Sequence, residues 1–306
     1  MKHYTVLKKE SIEALNIKSD GVYVDATLGY AGDASEILKR IKRGFLFAFD
    51  RDIDAIHYSE KVLSSISDRY KIIHSAFSSL SLKLQEEGIS KVDGILFDLG
   101  VSSPQLDENR GFSFMRDEVL DMRMNQDDKK TAQDVLNTYS FEELKTIFYS
   151  YGEEKKSSFI ASEIVLAREK KPITTTQELC SIILKAVGAK YFYKTHPERN
   201  IFQAIRIEVN NELKEIEKVL PEAISLLNPG GRLAVVTFHS LEDRIVKRVF
   251  KKYSEVDRVV KGLPEIPEEY KPMVRLVNKK PIVPSKEELD ENSRSASAKL
   301  RIVERL

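Results

Sequence analysis

Val22-Tyr23-Val24-Asp25-Ala26-Thr27-Leu28 is an apolar run that breaks on Gly29-Tyr30-Ala31-Gly32-Asp33, continues through a helix-length segment and meets a second apolar run, Gly44 to Phe49, which stops at Asp50. Two more runs follow at the same rhythm, Tyr70 to His74 and Val92 to Leu99. Strand-length runs separated by helix-length segments specify parallel strands joined by crossover helices. Phe45-Leu46-Phe47-Ala48-Phe49 and Gly94-Ile95-Leu96-Phe97 contain no charged residue, as strands covered on both faces require. The first hundred residues therefore read as half of a doubly wound, mostly parallel α/β fold. The second half returns late. Asn211 to Leu227 has a helical pattern, Asn228-Pro229-Gly230-Gly231 stops it, and Arg232 to Phe238 is another buried strand. Ser240, with Asp243 three residues on, reads as the N-cap of a helix through Val249.

Between these halves the strand rhythm disappears. Ser140 with Glu143 and Thr175 with Glu178 are capping boxes that open helices over Phe141 to Tyr149 and Gln177 to Val187, and Phe159 to Lys170 reads as a third helix. The expected organisation is an α/β domain made of residues 1–110 and 211–306, interrupted by an all-helical insertion at 111–210. A chain of 306 residues with 42% hydrophobic content can bury such cores without covalent staples. Its 49 Lys and Arg against 48 Asp and Glu leave a formal net charge of +1, which excludes a polybasic protein that grips nucleic acid over its whole surface. By part, the charge is −2 over 1–110, zero over 111–210 and +3 over 211–306, so any nucleic-acid contact is a local patch. The single cysteine, Cys180, has no internal disulfide partner, and histidines at 3, 57, 74, 196 and 239 lack metal-ligand spacing, so no metal is expected. The first residues lack a signal-peptide core and no apolar run approaches the roughly 18 residues of a membrane span, which points to the cytoplasm and away from a membrane.

The chemistry concentrates where the strands end. In the first loop, Gly29 and Gly32 let the backbone approach a ligand closely, and the following helix N-terminus offers free N–H groups. Asp50 ends the second strand, where a carboxylate accepts hydrogen bonds from both hydroxyls of a ribose. Together they read as a nucleoside-cofactor site. A nicotinamide dinucleotide would need a pyrophosphate cradle resembling G-x-G-x-x-G, whereas Asp33 sets a carboxylate near the helix start. A carboxylate repels a diphosphate and suits a cationic ligand, so S-adenosylmethionine fits better. Phe77, just past the third strand, is placed to stack on adenine or to pack as core. The fourth strand ends in Asp98-Leu99-Gly100-Val101-Ser102-Ser103-Pro104-Gln105, a loop that faces the ligand crevice of a doubly wound sheet. Hydrogen-bond acceptors there can hold an exocyclic amine in line with a methyl donor.

Several motifs are similar to one bacterial family. Asp25-Ala-Thr-Leu-Gly, Phe49-Asp-Arg-Asp, Asp98-Leu-Gly-Val-Ser-Ser-Pro-Gln-Leu-Asp, Arg110-Gly-Phe-Ser-Phe, Phe202-Gln-Ala-Ile-Arg-Ile-Glu-Val-Asn, Phe238-His-Ser-Leu-Glu-Asp-Arg and Ser293-Arg-Ser-Ala-Ser-Ala-Lys-Leu-Arg resemble the family that methylates cytosine N4 in 16S ribosomal RNA. The resemblance implies a class I S-adenosylmethionine-dependent methyltransferase acting on a decoding-centre cytosine, with 16S ribosomal RNA, within the small subunit, as partner. It also implies that the helical insertion serves substrate recognition. By motif, the cofactor contacts fall on Ala31, Gly32, Asp33, Asp50, Phe77, Asp98 and Gln105. Ser103 and Pro104 are the candidates for orienting the amine, and Arg110, Phe112, Arg206 and His239 for holding the substrate. The family usually shows Gly-Gly-His where this chain has Ala31-Gly32-Asp33, which exchanges a potential cation for an anion. Two other readings stand beside this one: an RNA-binding assembly factor that only retains the cofactor fold, and a nicotinamide-dependent oxidoreductase. The sequence leaves the oligomeric state open, a dimer included.

Overall fold

The computed structural model describes residues 5–101, 109–260 and 262–306. The chain divides into two compact units, Met1–Gly100 with Leu213–Leu306, and Val101–Glu212.

The first unit is built on a seven-stranded sheet. Its elements in chain order are α1 (Lys8–Ala14), β1 (Val22–Asp25), α2 (Gly32–Arg40), β2 (Phe45–Asp50), α3 (Ile53–Ser64), β3 (Tyr70–His74), α4 (Leu80–Glu86) and β4 (Val92–Asp98). After the second unit's helices the sheet resumes with α11 (Glu212–Leu226), β5 (Leu227–Thr237), α12 (Ser240–Ser254), β6 (Val274–Leu276), α13 (Lys286–Glu291) and β7 (Lys299–Arg305). The strand order is β3-β2-β1-β4-β5-β7-β6. Strands β1 to β5 pair in parallel, and β7 runs antiparallel to both β5 and β6. The winding reverses between β1 and β4, and the crevice beyond the carboxyl ends of those two strands is where such sheets bind ligands.

Alternation along the strands explains why the runs are apolar throughout. Val24, Phe47, Phe49, Ile95 and Phe97 point to one face, where Ile216, Val219 and Leu220 of α11 and Val246 of α12 cover them. Their neighbours Tyr23, Leu46, Ala48 and Leu96 point to the other, against Ala34, Ile37 and Leu38 of α2 and Leu63 of α3. At roughly 1.5–3 kcal/mol for each fully buried large apolar side chain, this double cover is the main stabilising term.

The sequence reading differs from the structure at two joints. Asn228-Pro229-Gly230-Gly231 lies within β5: the helix ends at Leu226, Leu227 pairs with Val92, and the register shifts between Val92 and Gly94. The bend that stops the helix is thus absorbed as a strand irregularity, with Gly230 at φ 78°. The N-cap of α12 is His239 rather than Ser240, because His239 is the last extended residue (φ −142°, ψ 166°). Glu242, not Asp243, closes that turn, accepting the Phe238 N–H at 2.8 Å and the His239 N–H at 3.3 Å.

The second unit carries α5 (Ala132–Thr138), α6 (Phe141–Ser150), α7 (Ser157–Arg168), α8 (Thr176–Val187), α9 (Ala189–Thr195) and α10 (Pro197–Asn210). Among its described residues the only β pairing is a bridge between Val119 and Thr175. Both capping boxes form, Ser140 with Glu143 and Thr175 with Glu178. Its core includes Phe112, Phe148, Ile160, Leu179 and Phe202. Among the described residues no helix is long and apolar enough to cross a membrane.

Candidate functional site: an acidic cradle at the strand ends

Three side-chain hydrogen bonds stitch the first loop to its neighbours. The Asp98 N–H donates to the Thr27 hydroxyl at 2.6 Å, which ties the end of β4 to the loop after β1. Asp50 ties the same loop to β2 by accepting the Gly29 N–H at 2.7 Å through one carboxylate oxygen, while its other oxygen accepts the Asp52 N–H at 2.9 Å within its own turn. From α3, the buried Ser59 hydroxyl donates to the Gly29 carbonyl at 2.7 Å. Gly29 has φ 48°, a left-handed value that costs glycine nothing. The loop is therefore held from three sides before any ligand arrives.

Ala31 also sits at positive φ, 61°. An alanine in this position is thus not neutral, since a Cβ in the left-handed region costs roughly 1–2 kcal/mol relative to glycine. Part of that returns through the smaller entropy of the unfolded chain. An Ala31→Gly variant is expected to be more stable by about 0.5–1 kcal/mol, read as a rise in the denaturation midpoint. Gly32 is confined on its Cβ side by the chain itself. A Cβ there would clash with the Thr5 hydroxyl, so any larger residue at position 32 would have to displace the Thr5 side chain.

The polar floor of the cradle is a group of carboxylates. Asp25 is buried and accepts the Thr27 N–H at 3.1 Å through one oxygen; its other oxygen has no hydrogen-bond partner among the described residues. One oxygen of Asp33, in the first turn of α2, and one of Asp98 are likewise buried and unpartnered. Burial pushes the Asp25 carboxyl up to about 7, and Asp50 next to it adds to the shift. Burial first, and then the charge of Asp98 and Asp25, raise Asp33 well above the carboxylate range. Asp98 is raised by burial, Asp25 and Glu242, and Asp50 by burial.

These shifts fix a pH dependence. A folded-state pKa above its unfolded value means that the native protein holds protons the unfolded chain has lost. The stabilisation is complete below the unfolded value near 4 and is lost as pH rises through about 7. Between pH 5.5 and 8, Asp25 alone should cost the cofactor-free protein about 2 kcal/mol. Its melting temperature is expected to fall by several degrees over that interval, and Asp25→Asn to flatten the slope.

The remaining sequence candidates fall in separate places. Phe77 opens a short 3-10 turn after β3 and meets Phe97 edge-on at 5.6 Å, so one side of its ring is already core. His74 holds the Arg51 carbonyl at 3.1 Å, steadying the turn after Asp50. His239 caps α12. In the second unit, Arg110 donates to the Arg123 carbonyl and, at 3.0 Å, to the Met124 carbonyl, and lies over the buried Phe112 ring at 5.6 Å. Arg206 forms a two-pronged pair with Glu212 at 2.8 and 2.9 Å. Ser103, Pro104 and Gln105 lie outside the described residues. Sequence reasoning passed over Asp25 and Thr27, although both stand in the first motif, and Ser59, which no local signal marks.

The strand order, the loop stitched at the switch point and the carboxylate ending β2 form a crevice suited to a nucleoside cofactor. The chain belongs to the MraW methylase family, whose pattern matches residues 1–306; this is the ribosomal RNA methyltransferase family that the motifs resemble. Among solved structures it is similar to an rRNA methylase from Streptococcus thermophilus, with 12% identity and a TM-score of 0.42 over 98% of this chain and 93% of that one. It is also similar to SMU.1697c from Streptococcus mutans, solved in complex with SAH, with 11% identity and a TM-score of 0.45 over 99% of each chain. The cradle suits the family's cofactor: buried carboxylate oxygens without partners match a ligand that carries a sulfonium and an ammonium group.

Proposed function

We propose that this protein transfers the methyl group of S-adenosylmethionine to the exocyclic N4 of a cytosine in the decoding centre of 16S ribosomal RNA, in the cytoplasm. The observation that carries the reading is the Asp98-Leu-Gly-Val-Ser-Ser-Pro motif at the end of β4, beside the topological switch point, in a chain whose whole length belongs to the family. The cofactor supplies an electrophilic methyl group. Asp50 holds the ribose, Phe77 flanks the adenine, and Asp33 and Asp98 face the cationic end. Ala31 and Gly32 present backbone to it, and Gln105 completes the contacts.

An amino nitrogen conjugated to a pyrimidine ring is a weak nucleophile, so its orientation matters more than its activation. Acceptors in the loop after β4, with Ser103 and Pro104 foremost, bind the two N–H groups and direct the lone pair at the methyl carbon. The nitrogen–carbon bond forms as the sulfur–carbon bond breaks, and the extra proton leaves to water. No covalent enzyme intermediate is needed, which agrees with Cys180: burial pushes its thiol up to about 11, far from a reactive thiolate. The helical unit, with Arg110, Phe112 and Arg206, is the substrate-recognition part of this reading, and His239 borders the base.

Nucleoside analysis of small-subunit RNA tests the proposal in cells. Deleting the gene should remove one N4-methylated cytidine from the decoding region, and the wild-type gene, but not Asp98→Ala, should restore it. Unchanged N4 methylation after deletion would refute it.

A further inference from the structure

Asp33 is a buried acid at the start of the helix that follows the first loop, and its surroundings make its charge consequential. It lies in the first turn of α2, is 6% exposed, and has an unpartnered carboxylate oxygen. The charged groups that face it are Asp98 from β4, Asp25 from β1, Glu36 from its own helix and Lys8 from α1; Glu242 of α12 and Asp50 of β2 stand behind Asp98 and Asp25. Asp33, in the first turn of α2, and Asp25 and Asp98, whose charges act on it, are buried carboxylates that each keep an unpartnered oxygen; Lys8 is the cation that faces Asp33, while Lys39 lies beside Glu36 and Arg51 beside Asp50. A helix dipole favours an anion in that first turn, against the charges of the two other acids. Without a ligand the group keeps protons, because isolated buried charge is the costlier state.

We infer that Asp33 is a specificity-determining residue that makes the site select the positively charged methyl donor over its uncharged demethylated product, by coupling donor binding to release of a proton. S-adenosylmethionine carries an ammonium, a carboxylate and a sulfonium, a net charge of +1; S-adenosylhomocysteine has lost the sulfonium charge and is neutral overall. Donor binding supplies the cation that lets one more carboxyl in the cluster ionise, and the proton passes to solvent. Methyl transfer removes that cation, the cluster takes a proton back, and the product is held less tightly. The inference rests on the use of this cofactor and is independent of which base accepts the methyl group.

The test is calorimetric titration of the full-length protein with each compound, in buffers of different ionisation enthalpy, between pH 6 and 8.5. Wild type should bind the donor more tightly than the product, release more protons with the donor, and widen the preference as pH rises. Asp33→Asn should reduce the preference at pH 8 by about tenfold and lower the proton count, the scale expected for one charge interaction in a partly shielded site. Asp33→His should reduce it further. A ratio of the two affinities and a proton count that Asp33→Asn leaves unchanged would overturn the inference. Failure of wild type to bind either compound would overturn the cofactor assignment beneath it.

Discussion

Asp50→Ala is expected to weaken S-adenosylmethionine binding by about 100-fold or more while the protein still folds. The Asp50 carboxylate already accepts the N–H groups of Gly29 and Asp52, which fixes its plane at the end of β2. Each oxygen keeps a second lone pair for a ribose hydroxyl. Two hydrogen bonds to a charged group, worth roughly 1.5–3 kcal/mol each, disappear together, and about 2.7 kcal/mol already corresponds to two decades in affinity. The fold loses less. Two loop N–H groups lose their acceptor, but a carboxylate that burial had disfavoured is gone as well. Asp50→Asn separates the contributions: it retains an acceptor oxygen and should lose less affinity than alanine. Titration calorimetry with a parallel thermal melt checks both, and full affinity in Asp50→Ala would remove the ribose role.

The largest effect on stability is expected at Arg206. Its guanidinium meets Glu212 through two parallel hydrogen bonds, with side-chain exposures of only 16% and 5%. Arg206→Met leaves the buried Glu212 carboxylate without its partner, which typically costs 3–5 kcal/mol. Replacing both partners, Arg206→Met with Glu212→Leu, should recover most of the loss, because the desolvation cost is removed along with the attraction. Denaturation midpoints of the single and double variants decide the matter. A single variant as stable as wild type would show that the pair contributes nothing.

Much of the architecture was legible because it depends on local pattern. The runs before Asp25, Asp50 and Asp98 form buried strands, whereas the one before His74 is an edge strand without a fully buried residue, and the capping boxes at Ser140 and Thr175 fix helix starts to the residue. The turn at Asn228 to Gly231 and the cap at His239 were displaced because glycine and serine signals mark a bend without saying which side of it pairs with a neighbouring strand. The final strand, Lys299–Arg305, was missed because its charged positions hide the alternation. Arg301 pairs with Asp243 at 2.7 Å, and Glu304 with Arg232 at 3.0 Å, contacts that bridge distant parts of the chain. The apolar runs place Asp50 and Asp98 at the ends of β2 and β4. They do not reveal that Ala31 has positive φ, that Thr5 fills the space over Gly32, or that Asp33 is buried within reach of the charges of Asp25 and Asp98. Those facts depend on which side chains meet across loops, and no spacing rule encodes them.

Transfer of labelled methyl from S-adenosylmethionine to small ribosomal subunits lacking the modification, followed by nucleoside analysis, tests the central claim most directly. The label should appear in N4-methylcytidine within the decoding region and be absent with Asp98→Ala. Demonstrable cofactor binding with no transfer to subunits or free RNA, or label in any other nucleoside, would contradict it.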